Sequence, residues 1–131
     1  YPGLLARSFG RLSYKSDGRA RQLPAHEAVR RRLVDGLRAG QLRLGVAVSM
    51  DDDHAAELVA ESSADGLDAA LCLSAAGWAW QRRARGFGLP EDVDPLEGWI
   101  VGADADADPS PAARGPGGFS RTSAGPAPSR R

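Results

Sequence analysis

At 131 residues the chain has room for one domain at most, and its formal net charge of +0 argues against an obligate basic nucleic-acid scaffold. A single cysteine, Cys72, excludes an internal disulfide and any cysteine-rich zinc site. No apolar run reaches the roughly 18 residues that a membrane-spanning helix needs, so no membrane partner is expected.

The overall balance hides a segregation of charge. Residues 1–43 hold ten bases against three acids, a net of +7, whereas residues 51–102 hold eleven acids against Arg82, Arg83 and Arg85, a net of −8. The two halves attract each other on folding. Tyr1-Pro2-Gly3 is neither an initiator methionine nor a basic-then-apolar leader. The expectation is a piece of a longer, cytoplasmic protein.

In chain order, Leu4, Leu5 and Phe9 fit a turn or two of helix. Residues 10–22 are basic and turn-rich, with Asp17-Gly18 as a turn signal. Tyr14 and Lys15 lie there, either in a solvated loop or as contacts to a phosphate, because a basic segment carrying an aromatic is a usual nucleic-acid footprint. A helix is predicted over 25–38 from Val29, Leu33, Val34 and Leu37, with Arg30, Arg31 and Arg32 on its solvated face and Gly40 as its stop. Leu42, Leu44, Val46 and Val48 alternate as in a short strand over 42–49. Asp51, Asp52 and Asp53 then read as cap and first turn of a helix, rather than as a metal cluster with His54.

The main helix is predicted over 64–85 and is apolar on nearly every side, which implies burial. Asp65 and Asp68 share one face at its head, and Cys72 continues that side as a core thiol among alanines. Ser62-x-x-Asp65 has the form of a capping box, which offers Asp65 a purely structural role. Asp68 lies further in, on a side lined by small residues, and a buried carboxylate requires a partner. Chemically the pair suits Mg²⁺, which is held by one or two carboxylates together with water and phosphate oxygens. Beyond a short strand over 97–101, the Pro-, Gly- and Ala-rich stretch 103–131 is predicted to be disordered, lacking the apolar surface to offset chain entropy.

Several of these stretches together resemble domain-of-unknown-function family 429, the predicted RNase H-like nucleases. They are Tyr1-Pro2, then Ser13-Tyr14-Lys15, then the Arg/Leu helix, then Asp65-Gly66-Leu67-Asp68-Ala69-Ala70-Leu71 and finally Glu97-Gly98-Trp99-Ile100-Val101. The likeness covers residues 1–102, as the C-terminal portion of such a domain. The aspartate helix is also similar to the last helix of Holliday-junction resolvases.

The resemblance implies an α/β, RNase H-like fold, here mostly helical with short strands, and a metal-dependent nuclease acting on DNA or RNA through two Mg²⁺ or Mn²⁺ ions. Asp65 and Asp68 would be its catalytic metal ligands, with Tyr14 and Lys15 facing the substrate phosphate. The remaining carboxylates would lie upstream of Tyr1, so the fragment alone is expected to be inactive. The alternative is a non-catalytic nucleic-acid-binding or interaction module with a degenerate RNase H-like fold.

Overall fold

A computed structural model describes residues 1–10, 12–16 and 23–103. Four helices carry the fold: α1 (Pro2–Ala6), α2 (Pro24–Ala39), α3 (Asp52–Ala60) and α4 (Asp65–Gln81). Short 3₁₀ turns follow α1 at Arg7–Phe9 and α4 at Arg83–Gly88. α4 is the hub, in contact with α1, α2 and α3, while α2 also packs on α3.

Local chemistry accounts for the helix ends. Pro24 opens α2 where its missing N–H costs nothing, and the Leu23 N–H donates to His26 Nδ1 at 3.2 Å. Gly40 closes α2 in the left-handed conformation at φ 65°. The Asp51 carboxylate accepts from the His54 N–H at 2.7 Å and caps α3, as the sequence predicts, while Asp52 pairs with Arg38 at 2.7 Å. At the head of α4 the predicted Ser62 capping box is replaced. Ala64 turns into the left-handed region at φ 57°, and Glu61 Oε2 accepts from the Gly66 N–H at 2.8 Å.

The core is one cluster: Leu5 of α1, Leu33, Val34 and Leu37 of α2, Leu58 and Val59 of α3, and Leu67, Leu71 and Trp78 of α4, joined by Leu42 and Leu44. Each fully buried leucine contributes about 1.5–3 kcal/mol relative to exposure.

The α/β expectation is corrected. Of the described residues, 58% are helical and none lies in a strand or sheet. Residues 42–49 do bury Leu42 and Leu44 and half-bury Val46 and Val48, so the alternation correctly marks one-sided burial. The covering surface is helical. Val48 N–H donates to the Leu37 carbonyl of α2 at 2.9 Å, and the Val46 carbonyl accepts from Ser74 Oγ of α4 at 3.2 Å. A strand needs a neighbouring extended segment for its hydrogen bonds, and among the described residues none is supplied. Residues 97–101 are likewise irregular, with Trp99 42% and Ile100 47% exposed rather than buried.

Three smaller expectations change with it. α4 stops at Gln81, and Arg85, Gly86 and Phe87 leave helical geometry. It is buried on one side only, since Leu73 and Trp80 are 60% and 63% exposed and Cys72 is an exposed thiol. Arg30 is buried at 4% exposure, unlike Arg31 and Arg32. No helix among the described residues is long and apolar enough to cross a membrane. The Asp17-Gly18 turn and the tail from residue 104 fall outside the described residues.

Candidate functional site

The four sequence-predicted site residues come from two stretches. Tyr14 and Lys15 lie between the 3₁₀ turn after α1 and the start of α2, and Asp65 and Asp68 form the first turn of α4. The fold brings three of them together. Tyr14 Oη donates to Asp68 Oδ1 at 2.7 Å, and Lys15 Nζ donates to Asp68 Oδ2 at 2.7 Å. The ammonium also lies 5.8 Å from the Tyr14 ring centroid. Asp65 is exposed, and its carboxylate stands outside this network.

Burial grades the three groups. Tyr14 is 9% exposed, while the Asp68 and Lys15 side chains retain 22% and 36% of their accessibility. Burial, and then the hydrogen bond and charge of Asp68, push the Tyr14 phenol well above its ordinary value. The phenol therefore stays protonated and remains a donor. With one of its members more than a third exposed, the Lys15–Asp68 pair contributes at the modest level of surface pairs.

Behind the site stands a residue that the sequence reading places on the solvated face of α2. Arg30 reaches inward from α2, its Nε donating to the Val59 carbonyl at 2.7 Å and its Nη1 to the Tyr14 carbonyl at 3.0 Å. One guanidinium thus ties the end of α3 to the backbone that presents Tyr14 and Lys15. The signal for this role was in the spacing, since Arg30 precedes Leu33, Val34 and Leu37 by three, four and seven residues and so shares their buried face.

At the head of α4, Glu61 accepts from Ser63 Oγ at 2.8 Å and from the Gly66 N–H, and these bonds hold its carboxyl below the usual range. Gly66 leaves room for this arrangement. A Cβ there would lie 2.8 Å from Leu58 Cδ2 and 2.9 Å from Glu61 Oε2.

Oxygen donors such as Asp65 and Asp68 are the right chemical type for Mg²⁺ or Mn²⁺. As arranged, they do not make a complete site. Both Asp68 oxygens are engaged, and the Lys15 ammonium already provides the neutralising cation. Among the described residues, no group of three or more His, Cys, Asp or Glu is placed to hold a metal.

Comparison with protein-family models, with curated proteins and with solved structures returns no match. The resemblance to family 429 therefore rests on the quoted motifs alone.

Proposed function

We propose that this chain is a non-catalytic nucleic-acid-binding module, in which the Tyr14–Lys15–Asp68 cluster is a tether between the N-terminal segment and α4. The observation that carries the reading is the full engagement of Asp68. Its two oxygens accept from a protonated phenol and an ammonium, the arrangement of a charge that is already compensated. A carboxylate so held orders residues 12–16 without recruiting an ion. Nucleic acid is favoured as partner by the segregation of charge, with a net of +7 in residues 1–43.

A second reading is metal-dependent phosphodiester hydrolysis in a longer protein that supplies further carboxylates. It is favoured by Asp65, exposed at the turn that also presents Asp68. One experiment separates the two. The 131-residue chain, alone and within its complete reading frame, is mixed with labelled single- and double-stranded nucleic acid in EDTA and then in Mn²⁺, and both retention and cleavage are scored. Binding in EDTA with no cleavage in Mn²⁺ supports the binding module. Cleavage that needs Mn²⁺ and disappears in Asp68→Asn overturns it in favour of hydrolysis.

A further inference from the structure

Two tryptophans in the last turns of α4, Trp78 and Trp80, pair with arginines that follow the helix, and the two pairs differ in one respect. Trp78 and Arg82 are 3% and 4% exposed, with the guanidinium 4.0 Å from the ring centroid. Gly88 closes over them so tightly that a Cβ there would lie 2.6 Å from the Trp78 ring. That pair is part of the packing. Trp80 and Arg83 repeat the stacking at 4.9 Å, but Trp80 is 63% exposed. Arg83 Nη1 donates to the Trp80 carbonyl at 3.1 Å, which holds the guanidinium beside the ring.

The stretch of chain at this end of α4 carries cations and aromatic rings. Between Asp68 and Glu91 there is no acidic residue, while Arg82, Arg83 and Arg85 all lie there. The Arg82 carbonyl accepts from the N–H groups of Arg85 at 2.8 Å and Phe87 at 3.0 Å, so both residues are held in one tight turn. Phe87 sits in that turn at φ 60°, a conformation that costs a non-glycine residue roughly 1–2 kcal/mol. It is 47% exposed, an aromatic presented outward at a strained backbone position.

We propose that this end of α4 is a stacking platform for single-stranded nucleic acid, with the Trp80 face taking a base and Arg83 and Arg85 meeting the phosphates. The inference deepens the binding reading above and rests on it. An exposed indole stacks on any base, and arginine provides both cation–π contact and phosphate recognition. A paired duplex hides its base faces, so the platform selects unpaired strands.

The test titrates the full chain with a short labelled oligothymidylate and with the corresponding duplex at low salt. Expected are preference for the single strand and quenching of tryptophan fluorescence on binding. Trp80→Ala weakens binding roughly 5- to 150-fold, whereas Trp80→Phe keeps most of the affinity and loses most of the quenching. Unchanged binding by Trp80→Ala overturns the platform but leaves the binding module standing. No binding of either strand form by the wild type overturns both. A change of oligomeric state in Trp80→Ala, with oligothymidylate affinity unaltered, overturns the platform in favour of a contact between copies.

Discussion

The two ends of α4 are built from the same ingredients, charged groups beside aromatic rings, and put them to opposite use. At its head Asp68 is matched by Lys15 and Tyr14, and Arg30 locks the matching segment in place from behind. At its foot Trp80 is stacked on Arg83 yet open to solvent. The difference lies in what covers them. Residues 12–16 cross the head of the helix and satisfy its carboxylate. Over the outer face of the foot no described segment passes. A satisfied charge holds a structure together, while an uncovered ring beside a cation is available to a partner.

The contrast predicts a graded response to substitution. Arg30→Met should have the largest effect, about 3 kcal/mol of stability, because the Val59 and Tyr14 carbonyls each lose a donor at about 1–3 kcal/mol. Denaturant titration measures it, and the loss should also free the Tyr14 side chain. Arg83→Ala, at the open end, should change stability by less than about 0.5 kcal/mol. Equal losses at the two ends would erase the distinction.

Tyr14→Phe should cost about 1.5–3 kcal/mol through its hydrogen bond to a charged carboxylate, and it carries a pH signature. The folded phenol titrates above its unfolded value of about 10, so its stabilisation is complete below that pH and is lost as pH rises beyond it. Wild type should therefore lose stability toward Tyr14→Phe in alkaline solution, and the two unfolding curves should converge.

Gly66→Ala has a smaller expected cost, about 1 kcal/mol, although alanine is the better helix former. The new methyl must displace the Leu58 side chain or the Glu61 carboxylate that caps α4. The Glu61 carboxyl titrates below its unfolded range. Its stabilisation is therefore complete above that range and is lost as pH falls through the folded value, a loss that Gly66→Ala should diminish. The smallest effect is expected at Cys72. Its exposed thiol should react with a soluble thiol reagent in the folded protein, and Cys72→Ser should alter stability by less than about 0.5 kcal/mol.

Much of the local architecture was legible in the residues. The 3.6-residue spacing of Val29, Leu33 and Leu37 marks α2, Asp51 marks the cap of α3, and Gly40 marks the end of α2. These signals are local, and so are the hydrogen bonds and dihedral preferences that produce them. Where the reading failed, the deciding contact was remote. Leu42 and Leu44 alternate as in a strand, but whether alternation becomes a strand depends on a neighbour that the segment does not encode. Cys72 lies on a stripe of small residues, but whether a stripe is covered depends on which elements reach it.

The aspartate turn shows the same division. The sequence alone determined that Asp68, inside an apolar helix, demands a partner, because desolvating a lone carboxylate is too costly. It also marked Tyr14 and Lys15 as groups with chemistry to offer. Only the tertiary structure decided that these residues, 53 and 54 positions away along the chain, meet that demand themselves. Burial, charge and helix periodicity are properties of a segment. The pairing of two segments is set by how the whole chain closes its core.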